Sequence, residues 1–198
     1  MHNLKLNQNI VSEEEAIDAL KTIIRYIGDD PDREGLIETP KRVLKAYQEY
    51  FSGYKSDSAQ VLAKTFSGLA NYDEMVIVKD IDIYSHCEHH MVPFHGHAHV
   101  AYIPSDKVVG LSKLSRVVQV YAKRLQTQEM LNMQIAKAIE NALNPEGVAV
   151  IIHAKHGCMT SRGVSNPKAE TVTAYYTGVL KTDNQKREEL LRIIRLGG

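Results

Sequence analysis

Residues 95–103, HGHAHVAYI, form the most regular part of the sequence because histidine alternates strictly with glycine, alanine or valine from His95 to Val100. Successive side chains of a β-strand point to opposite faces, so this alternation predicts a strand, which Pro104 ends. One face carries Gly96, Ala98, Val100 and Tyr102. The other face carries His95, His97, His99, Ala101 and Ile103. The stretch is therefore predicted to belong to an antiparallel sheet.

Elements on either side of this stretch follow the order ββααββ. A strand at residues 75–83 is expected to enter a loop at residues 85–90 (SHCEHH), which have no period of their own. Two amphipathic helices follow the quoted strand, and two more strands complete the unit. Long helical connections between strand pairs favour an α+β fold with helices on one face of an antiparallel sheet. The later elements are predicted at residues 112–124, 127–143, 148–154 and 170–180.

Further helices are expected at both ends of this unit. A capping box at Ser12 predicts a first helix that stops at Gly28. A Thr-Pro pair at the start of residues 39–51 predicts a second helix. Asp183 or Asn184 is expected to cap a final amphipathic helix.

Composition and charge limit the classes of partner. The chain has 198 residues with 24 basic and 24 acidic side chains, so no overall basic field attracts nucleic acid. No apolar run of 18 residues occurs and residues 1–11 lack a signal-peptide core, so we expect no membrane association and a cytoplasmic location. The length suits one compact unit, with a helical segment at residues 1–60 before the sheet domain at residues 61–198.

Cysteine and histidine spacing indicates a metal site. Cys87 and His90 lie three residues apart in the predicted loop, and Cys158 follows at the end of a strand. Two thiolates and one imidazole suit zinc, and three protein ligands leave one tetrahedral position open, as in catalytic sites. A fourth protein ligand would make the site structural, and two buried cysteines without a metal are the third alternative.

Other histidines surround these predicted ligands. His89 and His156 stand beside them, where each acts either as a general acid or base or as support for the metal ligands. His95, His97 and His99 share one strand face and form a competing metal-binding pattern. That pattern leaves both cysteines unexplained, so a solvated strand face is the preferred interpretation.

Two helix starts carry groups suited to substrate recognition. Ser112, Lys113 and Arg116 offer a hydroxyl and two cations at a helix N-terminus, which favours an anion, although an ordinary charged helix face has the same composition. Gln128 and Glu129 open the next helix, where a carboxylate either interacts with the helix dipole or accepts the paired N–H groups of a guanine edge. Further lone cations are Arg42 and Arg162.

Taken together, five segments closely resemble GTP cyclohydrolase I in order and spacing. They are 38–42 (ETPKR), 87–90 (CEHH), 110–116 (GLSKLSR), 126–129 (QTQE) and 156–163 (HGCMTSRG). The resemblance covers nearly everything after the first dozen residues. Leu125 and Gly157 depart from the residues most frequent in that family, and neither is a proposed ligand.

The resemblance implies a tunnelling fold, in which ββααββ units assemble into barrels within a homodecamer and active sites lie between subunits. It implies one Zn²⁺ per subunit, held by Cys87, His90 and Cys158. The substrate is then GTP, whose guanine ring is opened at C8 with release of formate. The product is 7,8-dihydroneopterin triphosphate, and the reaction is the first step of pterin and folate biosynthesis. The resemblance identifies no regulatory protein.

The same resemblance implies a role for each candidate residue. His89 would protonate N7, His156 would transfer protons during release of C8, and the Ser112 hydroxyl would lie near the site. Glu129, with Gln128 beside it, would bind the guanine edge. The implied triphosphate clamp consists of Lys113, Arg116, Arg162 and, from a neighbouring subunit, Arg42.

Three other functions are less compatible with the sequence. A zinc nucleobase deaminase shares the H-x-E pattern of residues 86–88, but the P-C-x-x-C element it requires is absent from the sequence. A related tunnelling-fold reductase would lack the cysteine and histidine ligand set. A catalytically silent zinc scaffold has no use for His89, Glu129 and the cations.

Overall fold

The strand predicted at residues 95–103 lies at the centre of a five-stranded sheet. The computed structural model describes residues 11–67, 72 and 74–196. The strands are β1 (Thr65–Phe66), β2 (Val76–Cys87), β3 (Pro93–Ile103), β4 (Val108–Val109), β5 (Leu125–Gln126), β6 (Gly147–His156) and β7 (Thr171–Tyr176). The sheet order is β5-β2-β3-β6-β7, in which β5 pairs in parallel with β2 and all other neighbours pair antiparallel. β1 and β4 form a separate antiparallel pair.

Helices occupy the predicted positions, with several short helices added. They are α1 (Glu13–Tyr26), α2 (Thr39–Tyr50), α3 (Ser58–Leu62), α4 (Leu111–Ala122), α5 (Gln128–Leu143), α6 (Gly157–Thr160), α7 (Gly178–Thr182) and α8 (Asn184–Arg195), with a 3₁₀-helix at Ser52–Lys55. The Ser12 hydroxyl accepts the Glu15 N–H at 3.1 Å, and Asp183 accepts two N–H groups at the start of α8. Both predicted caps are therefore confirmed.

Contacts between Cα atoms divide the chain into two compact units, Met1–Tyr50 and Phe51–Gly198. The first contains α1 and α2, and the second contains the sheet with the remaining helices. No helix among the described residues has both the length and the apolar composition needed to cross a bilayer.

Two long helices, α4 and α5, cover one face of the sheet. α4 packs against β2, and α5 packs against β6 and β7. This face of β3 presents Ala98, Val100 and Tyr102, all buried, as the alternation predicted. Burying one large apolar side chain contributes roughly 1.5–3 kcal/mol, so this cluster is the main source of stability in the sheet unit. The α+β fold with α4 and α5 on one face is confirmed.

The opposite face of the sheet is covered only in part. Ala101 and Ile103 of β3 pack there against Leu180 of α7 and Leu190 of α8. His95 and His97 lie farther along the same face of β3 and are exposed, as predicted. The C-terminal helices therefore add a second, smaller apolar cluster to the layer formed by α4 and α5.

His99, in contrast, is buried, so its predicted surface position is wrong. A bulge in β2 between Val78 and Ile81 places the Asp80 N–H within 3.1 Å of His99 Nδ1, which accepts it. The His153 ring meets the His99 ring edge-on at 5.6 Å. Burial lowers the pKa of His99, while the Asp80 carboxylate opposes this effect.

The predicted loop at residues 85–90 is wrong in its first half. β2 continues to Cys87 because its last residues pair with β3 on one side and with β5 on the other. These last residues are all buried, so no alternation of exposure marks them as a strand in the sequence. The connection between β2 and β3 is confined to residues 88–92.

The strand predicted at residues 170–180 ends early, at Tyr176. Gly178 has a φ of +52°, a left-handed conformation that side chains disfavour. A Cβ atom there would lie 1.8 Å from the Glu146 carbonyl oxygen. This close approach turns the chain out of the sheet and into α7.

Replacing Gly178 with Ala should lower the free energy of unfolding by about 3 kcal/mol or more, because the new methyl group meets backbone as well as an unfavourable φ. Gly28→Ala is the matched control, since Gly28 has a φ of +94° but no neighbouring atom within 4 Å of the place a Cβ atom would take. That control should lose only about 1 kcal/mol. Urea unfolding at constant m-value measures both changes, and equal losses would contradict this account of the turn.

Candidate active site

Three side chains converge at the end of the sheet where β2 stops. The ligand atoms of Cys87, His90 and Cys158 all lie within 4.8 Å of one another. Cys87 is buried, Cys158 is partly buried and His90 is exposed. The cluster therefore has one side in the core and one side open to solvent, which is the arrangement a substrate-accessible metal requires.

The turn after β2 brings His90 back over Cys87. The Cys87 N–H donates to the Val92 carbonyl at 2.9 Å, and the Met91 N–H donates to the Cys87 carbonyl at 2.8 Å. Met91 has a φ of +54°, which tightens the turn. These hydrogen bonds fix the position of His90 relative to Cys87.

The pairing register between β3 and β6 brings Cys158 next to Cys87 and His90. Phe94 pairs with His156, the last residue of β6, and α6 then begins at Gly157. A Cβ atom on Gly157 would lie 2.8 Å from the Pro93 carbonyl oxygen and 2.6 Å from a Val92 methyl group. Because Gly157 has no side chain, α6 can approach the turn closely. This close approach explains why a glycine occupies position 157.

Burial and the neighbouring Cys87 affect the ionisation of Cys158. Burial raises the pKa of the Cys158 thiol most, and the neighbouring Cys87 raises this pKa further, while Arg162 acts in the opposite direction. His89 Nδ1 lies 3.8 Å from Cys87 Sγ. Arg162 Nη1 donates to His90 Nε2 at 3.1 Å. His89 and Arg162 therefore lie next to the cluster without belonging to it.

His156 is held beside the cluster by two contacts. Its Nε2 lies 2.7 Å from Gln128 Oε1, and its ring stacks on the Phe94 ring with 4.5 Å between centroids and 8° between planes. Burial lowers the pKa of His156, and the charge of the nearby Glu129 partly opposes this effect. Gln128 is buried, whereas Glu129 is exposed in the first turn of α5.

The predicted anion-binding residues of α4 lie away from the cluster of Cys87, His90 and Cys158, because α4 starts at the opposite end of the sheet. The Val109 N–H donates to the Tyr102 hydroxyl, at the end of β3 far from the turn. The Ser85 hydroxyl donates to the Arg124 carbonyl, just after the other end of α4. Twelve helical residues span about 18 Å, so that length separates the two ends of α4. The residues concerned are Ser112, Lys113 and Arg116, while Arg42 lies in α2 of the N-terminal unit.

Two residues in contact with this site escaped the sequence analysis. Asn132 is buried on α5, one turn after Gln128, and it bonds to Thr173 of β7. A pair of amide side chains four residues apart on the buried face of a helix was the available signal. Thr173 has no comparable signal, because threonine is common in strands.

The donor set fits zinc. Zinc–sulfur bonds of about 2.3 Å and zinc–nitrogen bonds of about 2.0 Å place tetrahedral ligand atoms roughly 3.5–3.8 Å apart. A maximum separation of 4.8 Å therefore needs only a small contraction. Two thiols and one imidazole are also a softer set than calcium or magnesium prefer.

Comparison with known proteins agrees with this geometry. The model of the family described as GTP cyclohydrolase I matches residues 16–195. The chain belongs to the GTP cyclohydrolase I family. The match includes the whole sheet, both long helices and every residue of the Cys87, His90 and Cys158 cluster.

Several members of the family are similar over nearly their full length. A protein from Pelagibacter ubique named GTP cyclohydrolase 1 is 54% identical over 96% of this chain and 94% of its own length. Proteins of the same name from Maricaulis maris and Brucella suis are 51% and 52% identical, over 92% and 91% of this chain and over 89% and 85% of their own lengths. The crystal structure of the archaeosine synthase QueF-Like in the apo form aligns with 52% of this chain and 93% of its own, at 20% identity and a TM-score of 0.43. That structural likeness is too weak to support an inference.

Replacing Cys87 with Ser should lower the pH midpoint for alkylation of Cys158 in the metal-free protein. The neighbouring thiol raises the pKa of Cys158, so its removal increases the thiolate fraction at a given pH. Iodoacetamide labelling followed by peptide mass spectrometry measures the midpoint. His97→Ser serves as the control and should leave it unchanged, since His97 pairs with Asp82 outside the cluster. An unchanged midpoint in Cys87→Ser would show that the two thiols do not interact.

Proposed function

We propose that this chain is a zinc-dependent GTP cyclohydrolase I, which hydrolyses the guanine imidazole ring of GTP at C8. The products would be formate and 7,8-dihydroneopterin triphosphate. The observation that carries this proposal is the convergence of Cys87, His90 and Cys158 in a chain that the GTP cyclohydrolase I family model matches over most of its length. The names of the similar proteins support the substrate.

One Zn²⁺ per subunit is the proposed cofactor. Cys87, His90 and Cys158 would hold it, leaving its fourth position free. When bound there, zinc would lower the pKa of water and so supply a hydroxide nucleophile near neutral pH. The open side of the cluster, next to exposed His90, gives a nucleotide access to that position.

Two histidines are proposed to move protons. His89 is largely exposed and lies beside Cys87, so it is suited to donate a proton to N7 as the ring opens. His156 is partly buried, and this burial lowers its pKa, so the ring is mainly neutral at pH 7, which suits a group that accepts a proton and returns it during formate release.

Guanine and phosphate recognition would come from charged residues around the opening. Glu129 is exposed, and its charge acts on His156, so its carboxylate is suited to accept the N1 and N2 protons of guanine. Adenine would leave that acceptor unpaired. Arg162, beside His90, is a proposed triphosphate contact.

A homo-oligomer would complete the site, and the resemblance implies a decamer. Within one chain most of α4 separates Ser112 and Lys113 from the turn after β2, and the second half of α4 separates Arg116 from it. A second copy could supply these cations, and Arg42 with them, to the cluster of the first. Among the described residues, β7 is an edge strand and β5 pairs with β2 only at His86 and Cys87, so both margins of the sheet are open to further pairing.

The two cysteines also indicate in which compartment the enzyme works. Cys87 and Cys158 must stay reduced to bind metal, so we expect the enzyme to work in the cytoplasm. The zero net charge favours neither nucleic acid nor an anionic membrane as a partner. Residues 61–198 would form the catalytic domain and residues 1–60 a helical segment that precedes it.

Purified protein should contain one zinc ion per chain and release formate from GTP as dihydroneopterin fluorescence rises. Cys158→Ala should lose both zinc and formate release, because a thiolate ligand is missing. His97→Ala is the control and should retain both, since His97 is exposed and pairs with Asp82. Wild-type protein that holds zinc and binds GTP but releases no formate would instead identify a catalytically silent zinc scaffold.

Replacing Glu129 with Gln should lower kcat/KM for GTP about 10- to 100-fold, because a charged acceptor of two hydrogen bonds is lost. Zinc content should not change, because Glu129 is not in the ligand cluster. Glu140→Gln on the same helix is the control and should leave kcat/KM near the wild-type value. A wild-type kcat/KM in Glu129→Gln would exclude Glu129 from guanine recognition.

A further inference from the structure

A line of polar side chains crosses the buried interface of α5 with β6 and β7 and ends at His156. Its first member, Asn132, is 1% exposed. Asn132 Nδ2 donates to the carbonyl oxygens of Val150 at 2.8 Å and Thr173 at 3.2 Å. Carbonyl oxygens only accept, so these two contacts fix which end of the amide is nitrogen. Asn132 Oδ1 consequently faces Thr173 Oγ1 at 2.7 Å, and the threonine hydroxyl must donate its proton to it.

Gln128 continues the line with its orientation fixed in the same way. Its Nε2 donates to the carbonyl oxygens of Ile152 and Thr171, each at 3.0 Å. Nε2 also lies 2.9 Å from Thr173 Oγ1, whose own proton is directed at Asn132, so one of the two amide hydrogens is shared between two acceptors. Turning the amide over would place an oxygen against two carbonyl oxygens at once. Gln128 Oε1 is therefore the atom that faces His156.

The bond between Gln128 and His156 then has one possible direction. Gln128 Oε1 has no proton, so His156 Nε2 must carry the hydrogen in their 2.7 Å contact. Rotating the imidazole by half a turn would present carbon to Gln128 and lose the bond. The parallel Phe94 ring, fully buried, keeps the imidazole in its plane. The lone pair of the neutral ring is thus left on Nδ1.

We propose that Asn132, Thr173 and Gln128 are positioning residues that hold His156 as its Nε2–H tautomer. The lone pair of the ring is then on Nδ1, while the Nε2 proton stays bonded to Gln128. This inference rests on the function proposed above. It also gives the Gln128 side chain a structural task in place of a contact with guanine, because its amide nitrogen has no hydrogen left to donate and the residue is only 2% exposed.

The tautomer can be measured on the zinc-loaded protein without turnover. Magic-angle-spinning NMR of ¹⁵N-histidine-labelled protein, with the His156 signals assigned by their loss in His156→Asn, distinguishes protonated from unprotonated ring nitrogens. Wild type should show a protonated Nε2 and an unprotonated Nδ1. Gln128→Leu should show a mixture of both tautomers. A protonated Nδ1 in wild type, or an unchanged tautomer in Gln128→Leu, would overturn the proposal.

Kinetics separate positioning from substrate contact. Gln128→Leu should lower kcat about 10- to 100-fold with KM for GTP changed less than twofold, because Gln128 would act through the orientation and tautomer of His156 and not through contact with GTP. Gln119→Leu is the matched control, since Gln119 also donates to a strand carbonyl, that of Asp82, but lies outside this line. A raised KM with an unchanged kcat in Gln128→Leu would show that Gln128 contacts the substrate.

A second pair of variants, at Thr173, tests the proposal even if Gln128→Leu fails to fold. Thr173→Val keeps the shape of the side chain but removes its hydroxyl, so kcat should fall in the same direction. Thr173→Ser retains the hydroxyl and should recover most of the loss. Equal kcat values in Thr173→Val and Thr173→Ser would contradict the proposal. Wild-type protein that releases no formate would contradict the proposed function alone, since the tautomer experiment decides the positioning claim separately.

Discussion

Antiparallel pairing of β3 with both β2 and β6 is the constraint on which the site depends. The β2 pairing ends the strand at Cys87 beside the β2–β3 turn, and the β6 pairing sets His156 opposite Phe94. A shift of one residue in either register would turn the affected side chains to the other face of the sheet. Residues far apart in sequence therefore meet because the strand register, and not their local sequence, places them.

Polar groups inside the α5 interface impose a second requirement. Asn132 and Gln128 are almost fully buried, and a buried amide without partners costs about 1–3 kcal/mol for each missing bond. Four backbone carbonyl groups of β6 and β7 satisfy these amides. Such a network tolerates little displacement of α5 relative to the sheet, so it couples the packing of the core to the orientation of His156.

Sequence reasoning recovered the elements whose patterns are local and missed what depends on tertiary pairing. Strict alternation identified β3 and its two faces, and capping residues located α1 and α8. The extension of β2 to Cys87 and the burial of His99 depend on β5 and on the Asp80 bulge, neither of which leaves a local pattern. The cysteine and histidine cluster was predicted from its spacing, whereas the distance of the α4 cations from that cluster required the strand order.

X-ray absorption at the zinc edge of protein that releases formate from GTP tests the central claim most directly. The account predicts two sulfur atoms at about 2.3 Å and two nitrogen or oxygen atoms at about 2.0 Å, consistent with two cysteines, one histidine and a water in the open position. Substituting His90 with Ala should remove one nitrogen scatterer or the metal itself. A zinc shell without sulfur, or active protein that contains no metal, would contradict the assignment of Cys87, His90 and Cys158 as the catalytic metal site.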